Sequence, residues 1–195
     1  MRRLVIAITG ASGSVYGIRA LKILRDIPDI ETHLIVSTAG ARTLAEETDF
    51  TLDQLRALAD QVYNNKDIGA SIASGSFRTA GMLVAPCSVK TLSGIANCYA
   101  DDLIVRAADV CLKERRRLVL LFRETPLHAG HIALLDQATR NGAIIMPPVP
   151  AFYHRPQTID DIVTQTIGRA LDLFGIETPI VKRWKESAVS SDRPE

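Results

Sequence analysis

Leu4-Val5-Ile6-Ala7-Ile8-Thr9-Gly10-Ala11-Ser12-Gly13 is the stretch that decides how this chain folds. Five apolar residues in unbroken succession describe a short strand covered on both faces, and Thr9-Gly10 closes it. Beyond the glycine turn, Ile18, Leu21, Leu24 and Ile27 recur at threefold spacing and mark one face of a helix. A doubly covered strand that turns through glycine into a helix is the first half of a parallel crossover unit.

Working outward, the same alternation continues. Residues 33–36 read as a second strand, followed by helical stretches at 42–48 and 52–60, and then by a polar, Gly- and Ser-rich excursion over 63–78. A third strand at 82–85 is stopped by Pro86, helices are predicted at 88–96 and 103–116, and 118–122 is a fourth strand. A helix at 129–140 leads to a fifth strand at 143–146 that ends on Pro147-Pro148. Ile159, Ile162, Val163, Ile167, Ala170, Leu171 and Phe174 give the last helix its apolar face, and Thr158 with Asp161 forms a capping box at its start. The expected fold is α/β: a doubly wound parallel sheet in three layers, one domain over 1–179, with a polar tail over 180–195 that is loose from Ser187 onward. Such sheets bind ligands beyond the carboxyl ends of their strands.

Composition narrows the function. With 23 Lys+Arg against 22 Asp+Glu in 195 residues, the net charge of +1 excludes a nucleic-acid protein that relies on excess basic residues. A chain of this size buries about 70% of its surface and needs no covalent staple. Cys87, Cys98 and Cys111 show no CxxC spacing and read as small core residues of a chain kept reduced in the cytoplasm. Arg2 and Arg3 precede an apolar run too short for a signal peptide, and no run approaches the ~18 residues of a membrane span. A soluble protein that touches no membrane is expected.

Four strand-end loops carry candidate chemistry. Gly10-Ala11-Ser12-Gly13 opens a helix, and its free N–H groups and hydroxyl suit a phosphate. The second strand ends at Ser37-Thr38, without the acid that would hold a nicotinamide cofactor's ribose, so FMN fits better than NAD. Pro86-Cys87-Ser88-Val89-Lys90-Thr91 places an N-cap, hydroxyls and a lysine at a helix start. Arg123-Glu124 sets a cation beside a carboxylate, a pair that on a bare surface contributes ~0–1 kcal/mol but at a strand end can bind phosphate and move a proton. Asp101-Asp102 and Asp160-Asp161 lack the third aspartate of a magnesium-binding DDxxD motif, and His128 with His131 has no further ligand, so no metal is expected.

In combination these stretches are specific. Together with Arg106-Ala107-Ala108-Asp109-Val110, Leu112-Lys113-Glu114-Arg115-Arg116 and Pro150-Ala151-Phe152-Tyr153, in this order, the chain closely resembles the flavin prenyltransferases of the UbiX type. The resemblance implies a homododecameric, Rossmann-like flavoprotein. Such an enzyme joins a dimethylallyl group from dimethylallyl phosphate to N5 and C6 of reduced FMN, for use by a UbiD-type decarboxylase. It implies FMN contacts from Gly10, Ala11, Ser12, Ser37, Ser88, Val89, Lys90, Thr91 and Arg123. It implies a prenyl phosphate site of Arg106, Lys113, Arg123, Tyr153 and Arg169, partly from neighbouring subunits, with Trp184 matching a C-terminal aromatic. Glu124, Glu47 and Ser12 match the catalytic positions, Glu124 as proton relay.

One departure stands out: some members carry a tryptophan before the Ser74-Gly75-Ser76 segment, where this chain offers Ile68 and Ile72 for an aliphatic wall. Two rival readings remain. A decarboxylase of cysteinyl peptides shares this fold but carries a Pro-Ala-Ser-Ala-Asn-Thr turn, unlike Pro86-Cys87-Ser88-Val89-Lys90-Thr91. A non-catalytic FMN carrier, or accessory subunit of a hydroxyaryl acid decarboxylase, is not separated by sequence.

Overall fold

The computed structural model describes residues 1–185. Six parallel strands form one sheet: β1 (Arg2–Ile8), β2 (Ile30–Val36), β3 (Gln61–Tyr63), β4 (Gly81–Cys87), β5 (Arg117–Phe122) and β6 (Ile144–Ile145), in the order β3-β2-β1-β4-β5-β6. Seven helices flank it: α1 (Ser14–Arg25), α2 (Thr38–Glu47), α3 (Leu52–Arg56), α4 (Val89–Ala96), α5 (Leu103–Lys113), α6 (Ala129–Arg140) and α7 (Ile159–Asp172).

Alternate side chains of each inner strand serve opposite layers, as the pleat requires. Leu4, Ile6 and Ile8 of β1 join Leu83, Val119 and Leu121 under α1 and α7. Val5 and Ala7 join Met82, Val84, Leu118 and Leu120 under α4, α5 and α6. Burial on both sides explains the continuous apolar runs. The chain reverses direction between β1 and β4, so the loops after these two strands part from each other and open a crevice at the sheet's carboxyl edge.

Three expectations need correction. A sixth strand, β3, lies between the helix read at 52–60 and the excursion read from 63, overlapping the latter at Tyr63, and pairs parallel with β2 through His33↔Gln61, Leu34↔Val62 and Ile35↔Tyr63. Pro86 does not stop its strand: β4 runs on to Cys87, because the ladder shifts register between Val84 and Cys87 and a proline in that irregularity removes no ladder donor. The last strand is only Ile144–Ile145, held at the open edge by β5 alone. The capping box at α7 is present, with Thr158 accepting from the Asp161 N–H and Asp161 accepting from the Thr158 N–H.

The excursion between β3 and β4 is tied along α5. Arg116 donates to the carbonyls of Phe77 (2.8 Å) and Gly75 (2.5 Å), and Arg106 Nε donates to Ala73 O (3.2 Å). Arg116 is therefore a tether. Ile72 is 3% exposed and packs in the core, so only Ile68, 59% exposed, is left to line an aliphatic wall. Cys87 and Cys111 are buried as expected, but Cys98 is exposed, just after α4. The segment from Ile180 to Lys185 is held against α7: Gln165 exchanges hydrogen bonds with the Lys182 backbone at 3.0 Å in both directions. The tail expected to be loose from Ser187 lies outside the described residues.

Candidate active site

The loop after β1 stays low because of Gly10 and Gly13. A Cβ on Gly10 would overlap the Ala39 side chain at the start of α2, and Gly13 has φ +109, a region L side chains rarely adopt. Gly13 offers α1 no side-chain cap. Glu47, the last residue of α2, supplies one from outside: its carboxylate accepts from Gly13 N–H (2.8 Å) and Ser14 N–H (3.2 Å). Burial pushes the Glu47 carboxyl up, but the hydrogen bonds from the Ser12 hydroxyl and these two N–H groups, with the Arg123 charge, bring it below the usual range. Glu47 thus stays ionised and aims Ser12.

Thr9, read in the sequence only as closing the first strand, joins two loops. Its hydroxyl donates to Pro86 O (2.8 Å) and accepts from Ser88 N–H (2.8 Å), while Arg123 N–H donates to Cys87 O (3.1 Å). Ser88 caps α4 and contacts the Thr91 hydroxyl at 3.2 Å. Ser37 caps α2 by accepting from Gly40 N–H (2.9 Å).

These loops enclose a cleft of about 570 Å³ lined by Gly10, Ala11, Ser12, Ser37, Ser88, Val89, Lys90, Thr91, Arg123 and Glu124, with Asn65 and Asp102 completing a wall. Its size falls in the range of small-molecule sites. All nine expected flavin-contacting residues meet there, as does Glu124, whose carboxylate accepts from Thr125 N–H (3.0 Å). The Arg123 guanidinium has no acidic partner among the described residues; its charge is felt by Glu47 and by Tyr16, whose hydroxyl burial pushes up in pKa and Arg123 pulls back. Lys90 is shared between Asp101 and Asp102, at 3.6 Å from each. The donor set suits an anionic flavin: serine and threonine hydroxyls and a guanidinium with no acidic partner among the described residues, with the buried Ser14 hydroxyl at the start of α1 also left without a partner.

The remaining residues, expected to act partly from neighbouring subunits, do not line this cleft within one chain. Arg106 pairs with Asp109 (2.9 Å), Lys113 with Glu114 (2.6 Å) and Arg169 with Asp172. Each is neutralised by an acid one to three positions along its own segment. Tyr153 and Trp184 meet edge to face at 5.7 Å beside a second hollow of about 670 Å³, which His154, Arg155, Lys182 and Arg183 also line. Burial raises the Asp172 carboxyl, but hydrogen bonds from Arg183 and Arg169 outweigh it and hold the group below its ordinary range. Among the described residues no group of three or more His, Cys, Asp or Glu side chains could hold a metal, and no helix is long and apolar enough to cross a membrane.

Residues 1–171 match the Flavoprotein family. The flavin prenyltransferase UbiX of Escherichia coli K12 is 58% identical over 187 residues, spanning 95% of this chain and 99% of that protein. A crystal structure of AnUbiX in complex with FMN and dimethylallyl pyrophosphate superposes with a TM-score of 0.92 at 51% identity, covering 94% of this chain and 97% of that one. A dodecameric FMN-dependent UbiX-like decarboxylase from Escherichia coli O157:H7 superposes with a TM-score of 0.91 at 48% identity, covering 93% and 98%.

Proposed function

This chain belongs to the Flavoprotein family, alongside the UbiX flavin prenyltransferases, and on that premise we propose that it transfers a dimethylallyl group from dimethylallyl phosphate to N5 and C6 of reduced FMN. The observation that carries this reading is the convergence of the glycine loop, two helix starts and the Arg123-Glu124 pair on one cleft. When bound, reduced FMN supplies the electron-rich ring nitrogen and carbon that accept the prenyl group.

The residues divide the work by chemistry. Gly10, Ala11, Ser12, Ser37 and the 88–91 turn hold the flavin, and Arg123 faces the growing charge of the departing phosphate. Arg106, Lys113, Arg169 and Tyr153 complete the prenyl phosphate site from neighbouring copies, with Trp184 as part of its aromatic wall that excludes water. Glu124 accepts and returns the protons that joining the second bond requires, while Glu47 keeps Ser12 oriented near N5. Assembly as a dodecamer is supported by the 48%-identical dodecameric structure. In this reading the product passes to a UbiD-type decarboxylase and the reaction runs in the cytoplasm, whose reducing conditions are compatible with the free, exposed Cys98.

Incubating the protein with reduced FMN and dimethylallyl phosphate and weighing the flavin tests the reading. A mass gain of one isoprene unit is expected. Unchanged mass would leave only an FMN carrier.

A further inference from the structure

The geometry points to Asn65 as a residue that holds the anionic tail of the flavin through an amide that also anchors α5; the inference rests on the reading that the rim cleft takes FMN. Asn65 follows β3 by two positions and lines both the 570 Å³ cleft and a neighbouring hollow of about 730 Å³. The two share a seam of Ser37, Thr38, Asn65, Lys90 and Asp102.

Asn65 supplies two acceptors to the start of α5. Its main-chain oxygen accepts from Leu103 N–H (2.9 Å) and its side-chain Oδ1 from Ile104 N–H (3.1 Å), while Asp102 accepts from Val105 N–H (3.0 Å). A backbone N–H only donates, so the side-chain atom facing α5 is the oxygen. The NH₂ group is then left without a partner among the described residues, on a wall that lines the cleft.

The surroundings say what this donor is for. Ser37 and Lys90 share the seam, and the Lys90 charge is already drawn toward two carboxylates. A neutral, fixed donor is what the seam still offers a phosphate monoester. Because the same amide caps α5, the helix that carries Arg106 and Lys113, a phosphate drawn to Asn65 also fixes the start of that helix.

The test uses the full chain and measures the affinity of FMN and of riboflavin, which lacks the phosphate, together with the thermal midpoint without flavin. Asn65→Ala removes donor and cap: the midpoint falls, FMN binding weakens about tenfold and riboflavin binding less than about twofold. Asn65→Asp keeps an acceptor for α5 and puts a negative charge where the donor was. Its flavin-free midpoint stays at the unaltered value while FMN binding weakens more than in Asn65→Ala. Parallel weakening of both flavins, or wild-type FMN affinity in Asn65→Asp, would overturn the assignment. Failure of the unaltered chain to bind either flavin is a different result, and would overturn the flavin reading on which the assignment stands.

Discussion

Arg123 and Arg169 are both arginines assigned to phosphate, yet the fold treats them oppositely. Arg123 stands at the end of β5 on a cleft built by one chain and has no acidic partner among the described residues. Arg169 lies on α7, bound to Asp172, and Arg183 grips the same carboxylate at 2.9 and 3.0 Å. Arg106 and Lys113 follow the second pattern on α5. Strand ends of a parallel sheet gather their loops at one edge, so every residue proposed to contact the flavin lines one cleft of a single chain. Arg106, Lys113 and Arg169 lie on helices and do not line that cleft; in the proposed site they reach it only in an assembly of copies. Until then their cations are kept solvated and paired, each such pair contributing no more than about 1 kcal/mol, which a phosphate dianion can replace.

The largest effect expected to test this contrast comes from Arg123→Ala. Losing the cleft cation that has no acidic partner among the described residues lowers the prenyl transfer rate by about a hundredfold or more, whereas the same change at Arg169 leaves FMN affinity intact; stopped-assay flavin mass and FMN titration read the two. Equal loss of FMN affinity in both would erase the distinction. A second test separates the copies. Phe152 is 70% exposed beside Tyr153, and Phe152→Asp is expected to reduce the particle mass in light scattering and abolish transfer while circular dichroism stays unchanged. Full activity in a dissociated chain would show that one copy suffices.

The smallest effect is a pH dependence. The Glu47 carboxyl is held below its unfolded value, so its contribution to stability is fully present above the unfolded range and is lost as pH falls through the folded value. Exposure keeps that contribution below about 1 kcal/mol, or roughly 2–4 °C in thermal midpoint. Glu47→Gln should lower the midpoint at neutral pH and converge with the unaltered chain in acid; curves that stay apart at low pH would assign the loss to packing instead.

Much of the architecture was legible because local and global preferences agree. The runs at β1, β4 and β5 can only be doubly buried strands, and the Thr158–Asp161 box marks its helix without help. Three residues of β3 carry no readable alternation, and only pairing with β2 makes them a strand. Pro86 obeyed a tertiary irregularity over a local rule. The flavin loops were readable since each joins a strand to a helix start. Asn65, Thr9 and Arg116 were not, because an amide, a hydroxyl and a guanidinium acquire their meaning from partners 37 or more positions away, as in the Asn65–Ile104 bond.

By bridging Pro86 O and Ser88 N–H the Thr9 hydroxyl rivets the ends of β1 and β4 together at the middle of the cleft's floor. A floor riveted there has no hinge of its own. Whatever widens the crevice to admit a flavin must be borne by its sides, at α2 or the segment after β3, or by the seam with an adjoining copy.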